Sequence, residues 1–184
     1  MTAHPADITT FWREAGPKRW FEKRPAFDDA IRVKFEATHH AAARGEYDDW
    51  TRTAEGALAL LILLDQFPRN LYRDSPHAFA TDPLARRAAR EALERGHDKA
   101  VEPALRGFMY LPFVHSEDPA DQDLSLALHV AMARDLHDPE QTKWAIVHRD
   151  IIVRFGRFPH RNRALGRTTT PEERAFLDEG GFAG

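Results

Sequence analysis

The chain has 184 residues, 26 Lys and Arg against 29 Asp and Glu, a formal net charge of −3 and no cysteine. That length predicts a single domain over 1–184, able to bury a core without staples. Cysteine's absence excludes disulfides, Cys-ligated zinc, iron–sulfur clusters and a thiol nucleophile, and the acidic balance argues against a generally basic nucleic-acid binder.

With 42% hydrophobic and 30% charged residues, the composition is that of an ordinary globular chain. The longest apolar run, Ala57–Leu64, falls far short of the ~18 residues of a membrane span. Met1–Asp7 has neither the basic nor the apolar part of a signal peptide. A cytoplasmic protein with no membrane partner is expected.

In chain order the predicted helices run over 7–15, 26–44, 49–66, 83–95, 119–136, 139–155 and 171–179, with a short one around 101–109. Helix 26–44 carries Phe27, Ile31, Phe35 and Ala42 on one stripe; helix 49–66 is apolar all round over Ala57–Leu64 and is expected at the centre. Four starts share one grammar, a capping side chain followed by proline: Asp82-Pro83, Asp118-Pro119, Asp138-Pro139 and Thr170-Pro171. Gln141 and Glu173 are placed to complete capping boxes. Gly16-Pro17, Gly45, Gly96, Gly156 and Gly180 supply the stops. In helix 139–155, Trp144, Val147, Ile151, Ile152 and Phe155 share a face, and His148 sits within or beside it. No alternation reads as a strand. The result is an all-α chain of about seven helices packed as antiparallel hairpins.

An internal echo stands out. Phe67-Pro68-Arg69-Asn70 and Phe158-Pro159-His160-Arg161-Asn162 each follow a helical hairpin and read as helix, Phe-Pro break, then Arg-Asn. They suggest two hairpin units in a pseudo-repeat, in the manner of helical solenoids.

The segment His148–Arg167 holds Arg149, Arg154, Arg157, Arg161, Arg163 and Arg167 against one acid, Asp150. Arginine grips carboxylates and phosphates through paired N–H bonds, so this segment predicts internal ion pairs, an anion pocket or, less well, an RNA surface. Asp65 ends the most apolar helix, where the helix dipole disfavours a carboxylate. A cation should answer it, either Arg69 or an arginine of the Arg157–Arg161 loop, and the expected tie is to Arg157. Ser116 and Asp118 read as caps of the following helix, which leaves His115 and Glu117 as a base and its orienter. His39 and His40 read as surface. No HExxH, phosphate loop, GxSxG elbow or calcium loop is present, so no metal or cofactor is expected.

Leu64-Asp65-Gln66-Phe67-Pro68-Arg69-Asn70, Leu111-Pro112-Phe113 with His115-Ser116-Glu117, and Arg154-Phe155-Gly156-Arg157-Phe158-Pro159-His160-Arg161-Asn162 together resemble the signature of the bacterial domain-of-unknown-function family 924. Leu165-Gly166-Arg167, Thr170, Glu173, Phe176 and the early Phe11-Trp12 and Trp20-Phe21 pairs are similar to it as well. The resemblance implies an all-α, tetratricopeptide-like array and no established activity. It picks out the same polar loops that are chemically unusual.

The expected function is binding, with or without turnover, of a small anionic metabolite. The expected pocket is walled by the 65–70, 115–117 and 148–162 segments. Arg157 and Arg161 would hold the anion, beside Asp65, Arg69, Asn70, His148 and Asn162. His115 and His160 would move protons, oriented by Glu117 or Asp65. The alternatives are a helical module that grips a protein or peptide, and RNA binding through the arginine-rich segment.

Overall fold

Cap and stop chemistry decides where the long helices begin and end. The computed structural model describes residues 4–183; Met1–Ala3, the start of the segment read above for a leader, and Gly184 lie outside it. The α-helices are α1 (Pro5–Ala15), α2 (Pro17–Trp20), α3 (Pro25–Ala43), α4 (Ala54–Leu61), α5 (Phe67–Leu71), α6 (Asp82–Glu94), α7 (Pro103–Arg106), α8 (Leu111–Val114), α9 (Pro119–Leu136), α10 (Lys143–Phe155) and α11 (Pro171–Asp178). No described residue lies in a strand, so the chain is all-α. The fold falls into two compact units. One runs to Arg73 and adds His77–Pro112; the other joins Asp74–Pro76 to the chain from Phe113 onward.

In the first unit α4 lies against α1 and α6. Every residue from Ala57 to Leu64 is at most 3% exposed, as an all-round apolar run requires. Trp12 stands edge-on to Phe67 and Phe108, with centroids 5.7 and 5.5 Å away, and Phe35 stacks on Phe67 at 5.2 Å. Helix 49–66 is not continuous. A 3₁₀ turn covers Asp48–Arg52, and Thr53 then caps α4, its Oγ1 accepting from the Gly56 N–H at 3.1 Å. The Trp50 carbonyl crosses so close that a Cβ on residue 56 would lie 2.3 Å from it, so only glycine fits there.

The Phe67-Pro68 break is also corrected. The chain stays helical through a π turn over Ile62–Gln66, which runs directly into α5. Within it the Phe67 N–H reaches back five residues to the Ile62 carbonyl. Pro68 has no N–H to offer the carbonyls one turn back, those of Leu63 and Leu64. Two distant side chains supply the missing donors: His39 Nδ1 bonds Leu63 O at 2.8 Å, and Thr81 Oγ1 donates to Leu64 O at 2.5 Å. His39 is therefore buried, not on the surface as its place beside His40 suggested. Burial, partly offset by the Leu63 bond, holds its pKa below the usual imidazole value.

In the second unit Asp118 caps α9, Oδ1 accepting from the Ala120 N–H at 2.8 Å, and α9 covers the expected 119–136. Residues 139–142 form a 3₁₀ turn ahead of α10 instead of its first turn. Gly156, left-handed at φ 69°, ends α10. Here the Phe-Pro break is real: Phe158 is extended and Pro159 opens a 3₁₀ turn over Pro159–Arg161. Thr170 and Glu173 form the expected reciprocal capping box on α11. Asp82 proves not to be a cap: Thr81 holds that position, and the Asp82 carboxylate turns to Arg69. Gln141 Nε2 donates to the Asp138 side chain at 2.7 Å, so no reciprocal box forms there.

Candidate functional site

The second unit gathers most of the candidate residues, and its geometry sorts the arginines. Five of the six in His148–Arg167 hold a carboxylate of the same unit: Arg149 with Asp123, Arg154 with Glu172, Arg157 with Glu173, Arg163 with Asp74 and Arg167 with Glu117. The local excess of positive charge is thus answered by acids spread from position 74 to 173.

Three of these pairs are surface pairs, worth little each. The other two belong to a continuous network. Arg167 forks onto Glu117, with Nη1–Oε2 at 2.7 Å and Nη2–Oε1 at 3.0 Å. Glu117 Oε1 also accepts the Phe158 N–H at 2.8 Å, and Arg167 Nη2 donates to the Phe158 carbonyl at 3.0 Å. Arg167 Nε then reaches Asn162 Oδ1 at 2.9 Å, and Asn162 Nδ2 reaches Glu173 Oε2 at 3.1 Å. Arg157 grips Glu173 through Nε at 2.6 Å and Nη2 at 2.9 Å. Both backbone polar groups of the residue before Pro159 are therefore bonded by Glu117 and Arg167, which is how an extended break is held in place. The expected tie between Asp65 and Arg157 is replaced: Arg157's carboxylate is Glu173, sixteen residues further on.

Burial alone would raise the Glu117 pKa, but the bonds from Arg167 and Phe158 outweigh it and keep the carboxylate below its usual range. Glu173 goes further: led by the Arg157 bonds and resisted by desolvation, its pKa falls to about 2. The loop that carries Glu117 is itself clamped. Gln122 Nε2 lies 3.2, 2.8 and 2.6 Å from the carbonyls of Phe113, Val114 and Ser116.

Arg161 is the sixth arginine and is placed differently. It is 6% exposed, and its guanidinium lies over the Phe158 ring at 4.5 Å. Around the same ring stand two histidines, His148 at 5.5 Å and His160 at 5.7 Å, and His115 lies 6.2 Å from His148. Phe182 closes the group, 4.6 Å from His148 and 5.2 Å from His160. His148 Nδ1 meets the Trp144 carbonyl at 2.8 Å; as donor there it leaves Nε2 an acceptor. Burial first, and then the positive neighbours His115 and Arg161, lower its pKa to about 3, so it is neutral at ordinary pH. Among the described residues no three His, Asp or Glu side chains are placed to hold a metal ion.

Asp65, Arg69 and Asn70 belong to the first unit. Asp65 is 1% exposed; it accepts from Gln66 Nε2 at 2.5 Å and pairs with Arg69 at 3.2 Å. Arg69 also forks onto Asp82, at 3.0 and 3.1 Å. Asn70 Nδ2 donates to Asp28 Oδ1 at 2.8 Å, and Arg73 grips the same carboxylate at 2.7 and 2.9 Å.

Sequence reading took Glu173 only as a cap, and its second task, holding Arg157 and Asn162, has no local signature. Phe182 carries no signal either, beyond the Gly180-Gly181 pair before it. No helix of the described residues is long and apolar enough to cross a membrane.

No curated protein matches the chain. The structure of a protein of unknown function from Agrobacterium tumefaciens, ATU0120, is similar to it with a TM-score of 0.89 and 53% identity, over 96% of this chain and 97% of that one. A family model described as a bacterial protein of unknown function, DUF924, matches residues 8–181. That match spans both Phe-Pro segments and the Glu117 loop, and the chain belongs to this DUF924 family of bacterial proteins.

Proposed function

We propose that the protein binds a small anionic metabolite on the face formed by His115, His148, His160 and Arg161. The observation that carries this is the division of labour among the arginines. Five hold carboxylates, while Arg161 lies on an aromatic ring amid three imidazoles. Arg161 supplies the charge for the anion. Neutral His148 offers Nε2 to a hydroxyl or protonated oxygen of the ligand. His115 and His160 are the groups placed to move a proton if the bound molecule is turned over. Glu117, Arg157 and Asn162 serve as positioning residues, because their polar atoms hold the Phe158 break and α11. The same ion pairing counts against RNA binding, since an RNA backbone would need those cations unneutralised.

Inorganic phosphate is a direct probe. It should raise the melting temperature of the whole chain and shift the imidazole NMR signals of His115, His148 and His160. Arg161→Gln should abolish both effects, and Arg154→Gln should keep them. Phosphate that leaves all three histidines unmoved, or moves them equally in Arg161→Gln, would overturn the reading.

A further inference from the structure

Residues 180–182 fold back onto the histidine face in a way only glycine permits. Gly180 is left-handed at φ 85°. A Cβ on Gly181 would lie 2.5 Å from both the Phe176 carbonyl and its ring. The turn sets Phe182 edge-to-face against His148 and His160, with ring planes at 61° and 83°. Trp144 lies 6.1 Å from the same ring. Phe182 also forms one wall of an open groove of about 280 Å³, whose other apolar walls are Val147, Ile151, Phe155 and Phe176. One phenyl ring thus separates two imidazoles from an apolar slot, and it is held by packing alone, through a short glycine-hinged segment.

We propose that Phe182 is a displaceable occupant of the ligand site, and that the ligand is an anion carrying an aromatic ring, of the arylalkyl carboxylate class. This rests on the anion reading above and extends it. The ring of the ligand takes the place of Phe182 between His148 and His160, where edge-to-face contacts select a flat aromatic group over an aliphatic one. Its carboxylate goes to Arg161, and the groove receives whatever extends from the ring. Phe182 competes with the ligand, so the apparent affinity of the intact chain is reduced by the fraction of molecules in which the ring is seated.

The test uses calorimetry on the full chain with phenylacetate, and with acetate as the ring-less control. Phe182→Ala should bind phenylacetate at least about tenfold more tightly than the parent chain, as expected when a competing internal state is removed. Gly181→Ala should change affinity in the same direction, because its Cβ forces the segment off Phe176; it carries the test if Phe182→Ala loses its fold. Acetate should bind all three chains alike, and phenylacetate should move the His148 and His160 signals. Equal or weaker phenylacetate binding in the variants overturns the proposal, as do unmoved histidine signals. The two readings fail separately. Arg161-dependent phosphate binding with no gain for phenylacetate sinks the aromatic class alone. A gain for phenylacetate that survives Arg161→Gln sinks the anion reading and leaves the ring slot.

Discussion

Phe67-Pro68-Arg69-Asn70 and Phe158-Pro159-His160-Arg161-Asn162 look alike as strings and fold differently. In the first the helix runs through the proline, because a π turn precedes it and His39 and Thr81 satisfy the carbonyls that proline deserts. In the second the helix has already stopped at Gly156, and the proline opens a 3₁₀ turn. The arginines differ as well. Arg69 is gripped by Asp65 and Asp82 in its own unit, while Arg161 lies against rings, with Glu117 and Arg167 holding the neighbouring backbone. Proline alone does not decide whether a helix ends. The fate of the carbonyls behind it decides.

The largest effect should come from the support of the second segment. Glu173→Ala strands Arg157 and Asn162 and removes the capping box of α11. It should cost about 3 kcal/mol in urea denaturation, the low end for breaking a buried pair, because the Arg157 side chain keeps 29% of its exposure. A loss under about 1 kcal/mol would mean that the network does not hold the Phe158 break.

Next comes the support of the first segment. Thr81→Val leaves the buried Leu64 carbonyl without its donor and should cost about 1–3 kcal/mol. Pro68→Ala restores an N–H at the right place. In the double mutant most of the Thr81→Val cost should therefore disappear, whereas additive losses would refute the account of the π turn.

Acid should weaken the second unit next. Folded His148 stays neutral down to about pH 3, while the unfolded imidazole takes its proton near 6.5. Between those values the unfolded state binds more protons, so stability falls as pH falls, by up to ~1.4 kcal/mol per pH unit. Glu173 adds to the loss below its ordinary value of 4.5, down to about 2. His148→Gln should flatten the slope between pH 6.5 and 4.5; an unchanged slope would place the titrating group elsewhere.

The smallest effect is expected at Pro159. There the ring only begins a 3₁₀ turn, so Pro159→Ala should cost about 0.4–1 kcal/mol through the freer unfolded chain. A far larger loss would make the two prolines equivalent and erase the contrast between the segments.

Sequence by itself determined what is settled within a few residues. The Asp118-Pro119 start defined α9, Thr170 and Glu173 defined the start of α11, and the Ala57–Leu64 run had to be central because it has no polar face. Caps and stops close their hydrogen bonds within about one turn, so local order suffices to predict them. The motif strings likewise pointed to the polar loops. Tertiary structure decided the partners. Arg157 chose Glu173, Arg167 chose Glu117 fifty residues away, and Asp65 kept Arg69. The π turn depends on donors 24 and 17 residues from the carbonyls they serve, which also explains why His39 is buried beside an exposed His40. A chain with 26 cationic and 29 acidic side chains offers many Coulombically equivalent pairings. Only packing, which fixes the distances and removes water, selects among them.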